Sequence, residues 1–297
     1  VFFARYLACS AVKTSSNQAC NNETTRIYSY FRISILHNTL TNPNHTYFTP
    51  FEENIAVYSL PQQFISPFNH QPHPLSILAA NKLQEYLQNQ QEWQHNFGLD
   101  ENQEGAIIGK MFGVLVVQTQ DNEIGYLAAF SGKLAGANQH RKFVPPVFDG
   151  LFEGSFVNEG MIALTRINQQ IKELEEQDKA GNSTQIEQLK TLRRTNSIAL
   201  QDKIFDHYHF INQAGKEKSL REIFTKPPSG AGECAAPKLL QYAFLNGMKP
   251  IAIAEFWWGL SPKSDHWKHG HFYPACKEKC EPILAHMLDG IAMEKKS

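Results

Sequence analysis

The chain has 297 residues, of which 42% are apolar and 19% charged, with a formal net charge of −1. That balance suits one large domain, or two ordinary ones, around a real buried core. It excludes a global basic field for nucleic acid, so any RNA contact must come from a local patch or from another domain. No apolar run reaches the roughly 18 residues of a membrane-spanning helix, so no membrane partner is expected.

The first 46 residues are rich in Asn, Thr and Ser, lack sustained periodicity and do not begin with Met. They read as a poorly ordered extension, or as sequence upstream of the natural start. VFFARYLACSAVK is only faintly like a signal peptide, because no basic region precedes a long apolar one. Residues 47–159 read as the N-terminal part of an α/β domain. Its first pieces are short and extended, broken at Pro50 and Pro61. Leu75, Leu78, Ala79, Leu83, Tyr86 and Leu87 recur at three- and four-residue steps, which predicts a helix from Leu75 to about Gln90, with Pro74 where a helix start accepts it. His70 and His73, just before it, suit capping or surface positions better than metal ligation. KMFGVLVVQT, DNE and IGYLAAFSG predict a β-hairpin. Its Val114–Val117 stretch is apolar on both faces, as in an inner strand. Pro145 and Pro146 end regular structure.

Residues 160–225 read as a helical insert. Leu164, Ile167, Ile171 and Leu174 keep helical spacing, AGNS interrupts at 180–183, and Ile186, Leu189 and Leu192 resume it. This predicts a helical hairpin or short coiled coil. Its stripe is either a solvated face or a surface for self-association through Ile167 and Ile171. Residues 226–290 read as the C-terminal part of the α/β domain, and 291–297 as a tail. KPPSGAG at 226–232 is a hinge-like loop without the GxxxxGK[ST] pattern of a phosphate loop. CAAPKLLQYAFLNG predicts a helix ended by Gly247, PIAIAEFWW a buried strand, and HFYPACKEKCEPILAHML a short strand running into a second helix. Neither a G-x-S-x-G elbow nor a Rossmann glycine fingerprint occurs.

The chemistry concentrates in this last third. The five cysteines are Cys9, Cys20, Cys234, Cys276 and Cys280. An odd, sparse set does not make a secreted disulfide framework. It points to a reducing, cytoplasmic setting and to metal ligation or plain core thiols. Cys234 and Cys276 open the last two predicted helices, with Cys280 one turn on. Helix N-termini favour thiolate, the form that binds metal. A zinc site would take Cys234, Cys276 and Cys280, with His271 or His269 as fourth ligand. Three small buried thiols explain the same residues without a metal. Glu255, Phe256, Trp257 and Trp258 form an acidic-aromatic cluster at a strand end, with Lys263, Lys268 and His269 close by. Trp257 and Trp258 suit either base stacking on RNA, with those basic residues as contacts, or core packing.

In its element order the chain resembles the zinc-dependent nucleobase deaminase fold, a three-layer α/β/α sheet, here with the helical hairpin inserted. In that fold a His or Cys at one helix start and two Cys at the next hold Zn²⁺, and a Glu two residues after the first ligand moves protons. The pattern departs in two places. Cys234-Ala235-Ala236 puts Ala236 where the Glu belongs, and Cys276 and Cys280 are one residue further apart than usual, with Pro274 displaced by one. The resemblance therefore implies the scaffold without the activity, a zinc enzyme with an altered site being the alternative.

FSGKLAG, FVPPVFD, GAGECAAPKLLQYAF, PIAIAEFWWG and HGHFYPACKEKCEPILAHMLDG resemble the N-terminal region of long bacterial RluA-family RNA pseudouridine synthases, over about Tyr47 to Gly290. That resemblance implies an accessory role in rRNA or tRNA modification, with RNA and the synthase catalytic domain, in cis or in trans, as partners. The catalytic Asp motif of the family, close to H-R-L-D-x-x-T-S-G, is absent, so no catalytic residue carries over. The synthase domain would be expected to begin near Asp289 to Ser297. A pure interaction module is the remaining alternative.

Overall fold

The computed structural model describes residues 46–294, apart from 70 and 178–181. His70, Cys9, Cys20 and the proposed N-terminal extension lie outside the described residues. From Tyr47 onward the chain forms one compact unit. Its elements in order are β1 (Thr49–Pro50), α1 (Pro74–Asn89), β2 (Lys110–Gln118), β3 (Ile124–Phe130), α2 (Phe156–Glu176), α3 (Ser183–Phe205), β4 (His209–Ile211), β5 (Glu217–Ser219), α4 (Leu220–Ile223), α5 (Ala235–Leu245), β6 (Lys249–Trp258), β7 (Phe272–Tyr273) and α6 (Lys277–Met287).

This is a mixed α/β architecture around a five-stranded antiparallel sheet of order β1-β3-β2-β6-β7. The apolar run in β2 does what its sequence predicts. As the central strand it alternates Phe112, Val114 and Val116 toward α1, and Leu115 and Val117 toward α5. In β3, Tyr126, Ala128 and Phe130 join the first face, and Leu127 and Ala129 the second. Burying each such large side chain contributes about 1.5–3 kcal/mol. Both faces are thus covered, which is why the strands lack the polar alternation of a half-exposed sheet. A bulge between Val116 and Val117 leaves Ile251 of β6 unpaired, so Ile251 and Ala252 both turn to the α1 face.

Helix α1 begins as predicted. Pro74 takes the first turn, and the His73 ring accepts the Leu75 N–H while its other nitrogen bonds the Ser59 carbonyl. His73 is a cap, the reading its position favoured.

The insert is a helical hairpin, α2 against α3, but it is shorter than 160–225. Residues 206–225 return to the core. Tyr208, Phe210 and Leu220 are buried with α5 and α6, and β4 pairs with β5 in a two-stranded ribbon. Asn212 closes that ribbon by accepting the Ala214 and Lys216 N–H groups. Ribbon strands of three residues are too short for a period-two signal. The segment 291–294 is no free tail either, because Phe64 exchanges backbone hydrogen bonds with Ala292 and Glu294. No described helix is long and apolar enough to cross a membrane.

Candidate metal centre

Two helix starts create the site. Cys234 is the N-cap of α5 and Cys276 the N-cap of α6. Both have extended backbones, and the two sulfurs face one another. Gly232 turns the chain into Cys234 at φ +88°, and a Cβ there would meet the Tyr208 ring at 2.8 Å, so the loop requires glycine. Before Cys276, the Ala275 N–H is tied to the Pro67 carbonyl at 2.8 Å. The helices pack side by side through one core containing Leu239, Leu240, Ile283 and Leu284.

The result is a cluster of Cys234, Cys276 and Cys280 whose sulfurs all lie within 4.8 Å of one another. Cys234 Sγ stands 4.0 Å from Cys276 Sγ, which is 3.3 Å from Cys280 Sγ. All three are free thiols, the separations being far above the roughly 2.04 Å of a disulfide. A tetrahedral zinc with Zn–S of about 2.3 Å needs sulfurs about 3.8 Å apart. The observed spacings bracket that value, so the three cysteines fit a metal ion. Cys276 is exposed and Cys280 buried, leaving the cluster open on one side.

The thiols are electrostatically unequal. Hydrogen bonds from Cys234 and Cys280, and from the Lys279 and Cys280 backbone N–H groups, hold Cys276 far below the ordinary thiol value. Hydrogen bonding to Cys276 pushes Cys234 up, and hydrogen bonding to Cys234 and Cys276 together with burial does the same for Cys280.

A carboxylate accompanies the sulfurs. Glu255 of β6 is 7% exposed, and its Oε1 accepts the Ala236 N–H at 3.2 Å. Burial pushes its pKa up to about 7. Its charge is felt by Cys234 and Cys280, and Cys276 raises it in turn. Its cross-strand partner is Gly113. A Cβ at Gly113 would meet Ala235 Cβ at 2.9 Å and Glu255 Cγ at 3.4 Å, so the glycine lets the start of α5 sit directly on the sheet beside the carboxylate.

The histidines do not complete the cluster. His271 is exposed in the β6–β7 connection, where its carbonyl accepts the Trp257 N–H. His269 Nδ1 accepts the Gly259 N–H at 3.0 Å, and its ring lies 4.3 Å from that of Trp258. Both belong to a loop at the sheet edge, and sequence proximity to Cys276 does not carry them to the sulfurs. Trp258 is also corrected: at 2% exposure it packs in the core with Phe256 and is closed to a base. Trp257 is half-buried, stacked on Trp267 at 5.2 Å, and Trp267 in turn meets Tyr273 and His266. Lys263 and Lys268 are exposed on the same loop.

Two polar groups here, Lys238 and Tyr208, escaped sequence reasoning. Lys238 of α5 is buried, donating to the Phe130 and Gly132 carbonyls and facing Glu233 at 3.6 Å. Tyr208 donates to the same Glu233. The signal for Lys238 and for the role of Glu255 is identical, a lone charge inside an otherwise apolar element. No protein-family model matches the chain, and no curated protein or solved structure matches it either.

Proposed function

We propose that the chain is a zinc-holding, deaminase-like module that works in RNA modification, as the accessory region of an RluA-type pseudouridine synthase, and that it helps place the RNA. The convergence of three cysteines from two adjacent helix starts carries this reading. Three-cysteine sites at paired helix N-termini are how the deaminase-like fold holds Zn²⁺. The helices on both sheet faces and the hairpin inserted between β3 and β4 are compatible with the three-layer arrangement expected from the sequence. A reducing cytoplasm would keep the thiols available for the metal. The resemblance of its long phrases to the synthase family is what ties this reading to RNA. Trp257 and Trp267 with Lys263 and Lys268 supply a surface where aromatic rings and cations meet, the chemistry that single-stranded RNA selects.

Zinc, when bound, would supply Lewis acidity and hold α5 to α6. Elemental analysis of the purified chain is expected to give about one zinc per chain, lost in a Cys234→Ser/Cys276→Ser variant. Fluorescence anisotropy with a single-stranded oligoribonucleotide is expected to show salt-dependent binding that a Lys263→Glu/Lys268→Glu variant weakens about tenfold or more. The chain alone is expected to form no pseudouridine. Zinc-free protein, or RNA binding indifferent to the two lysines, would count against the reading.

A further inference from the structure

We infer that the cavity between β1, β3 and α1 binds a small free peptide, a dipeptide with apolar side chains, whose carboxylate meets Lys142 and whose amino group meets Glu52 and Glu85.

The cavity measures about 430 Å³, within the range that holds a small organic ligand. It lies on the α1 face of the sheet, while the cysteines belong to the α5 face, so it stands independently of the metal reading. The rings of Phe51, Tyr86 and Tyr126 wall it, those of Phe51 and Tyr126 being 5.5 Å apart. Thr49 of β1 sits opposite Tyr126 of β3 in the ladder, and both line the cavity.

Lys142 is the first argument. Its Nζ lies 5.2 Å from the centre of the Tyr126 ring and 5.8 Å from that of Tyr86. Among the described residues it makes one hydrogen bond, to Thr49 Oγ1 at 3.0 Å, and no ion pair. An ammonium has three N–H donors, so two are left for a ligand or for water. Burial lowers its pKa, and no carboxylate is near enough to raise it again. A partly desolvated cation without a carboxylate is a place for an anion.

The rim is the second argument, and it selects among anions. Glu52, Glu53 and Glu85 also line the cavity. Lys82 of α1 holds Glu53 in an ion pair, which leaves Glu52 and Glu85 without one among the described residues. Their field reaches the wall. Burial, with the charges of Glu53, Glu52 and Glu85 behind it, pushes the Tyr126 hydroxyl up to about 12. Phosphates and other polyanions are repelled by this rim. A simple cation meets Lys142, whose ammonium already lies over two tyrosine rings. A neutral ligand leaves both charges unanswered. A zwitterion answers both. Because no carboxylate pairs with Lys142 directly, the two charged ends of the ligand must be separated by several bonds. A dipeptide has that separation. Its central amide suits the side-chain amide of Asn89, and its apolar side chains suit the aromatic walls.

Packing is the competing role for Lys142. Its stem would cover the tyrosine rings while its amine ties the loop after β3 to β1 through Thr49. Lys142→Met separates the two roles, because methionine keeps an unbranched apolar side chain against the rings and has no ammonium.

The experiment is calorimetric titration of the full chain with L-leucyl-L-leucine. One-to-one binding with a Kd below about 1 mM is expected. N-acetyl-L-leucyl-L-leucine lacks the cation, L-leucyl-L-leucinamide lacks the anion, and free L-leucine is too short to join both ends. Each is expected to bind about tenfold more weakly or worse. Lys142→Met, with folding checked by circular dichroism, is expected to lose about tenfold or more in affinity for L-leucyl-L-leucine. Glu52→Gln/Glu85→Gln changes two exposed side chains and is expected to bind the N-acetylated and free dipeptides alike. Wild type that does not bind L-leucyl-L-leucine overturns the inference. Equal binding of the blocked peptides overturns it too, leaving an apolar cleft, as does equal binding of L-leucine. Unchanged affinity in Lys142→Met returns that lysine to packing. Should Lys142→Met fail to fold, the glutamate variant decides, and continued discrimination against the N-acetylated peptide by that variant counts against the inference.

Discussion

A charged residue on a strand covered on both faces is tolerated only with compensation, and Glu255 shows what form that takes. One backbone N–H reaches it, the adjacent strand gives it room with a glycine, and burial favours its neutral form. Lys238 meets the same problem with two carbonyls and Glu233. A third group, His95, makes the principle measurable away from the metal centre. One ring nitrogen bonds the Ile108 carbonyl at 2.8 Å, and the other accepts the Ala135 N–H. The neutral ring satisfies both bonds and the imidazolium only one. Burial, followed by the charges of Lys110 and His140, lowers the pKa of His95 below its ordinary 6.5. The unfolded chain then binds the extra proton first as pH falls. The contribution of His95 is complete above the unfolded value and is lost as pH falls through the lowered folded one. The melting temperature is therefore expected to drop below about pH 6.5, with a shallower slope in His95→Gln. An equal slope in that variant would place the acid sensitivity elsewhere.

Among elements, the α2–α3 hairpin stands apart. It holds roughly half of the described α-helical residues, yet in α2 only Val157 and Ile171 are buried, and in α3 only Phe205. Gly160 lets the helices approach, since a Cβ there would stand 2.7 Å from Leu200. Ile171 is therefore spent inside the protomer and is not free for self-association, while Met161, Ile162, Leu192 and Ile198 remain exposed. Ile171→Asp is expected to cost most of the hairpin's far-ultraviolet helical signal. Tryptophan fluorescence should change little, because Trp93, Trp257, Trp258 and Trp267 all lie outside it. Concerted loss of both signals would make the hairpin part of the main cooperative unit.

For the whole molecule, a metal held by the cysteine cluster would act as a clip. It would join α5, which packs on the sheet, to α6, which packs on α5 and on the β4–β5 ribbon. A ligand that binds only the folded chain stabilises it by about 2.7 kcal/mol at a hundredfold excess over its Kd. For a domain of this size that corresponds to about 5–10 °C in melting temperature. A strong chelator is expected to lower the wild-type Tm by that order and to leave Cys234→Ser/Cys276→Ser unmoved. Equal melting with and without chelator would show that the helices hold together through their apolar contacts alone.

Local periodicity sufficed for what depends on neighbours in sequence. Helix α1 with its Pro74 start, the β2–β3 hairpin, the inner position of β2 and the two Cys-led helices α5 and α6 are all legible in this way, because their signals repeat within a few residues. The convergence of Cys234, Cys276 and Cys280 was foreseeable once both helix starts were placed. Long-range packing decided the rest. It sent His269 and His271 to the sheet edge, buried Trp258, drew residues 206–225 back into the core and tied residues 291–294 to Phe64. Above all it brought Glu255 to the backbone of Ala236 across 19 positions of sequence. No pattern along one chain segment encodes such a contact, because it exists only when a strand and a helix share one face of a sheet.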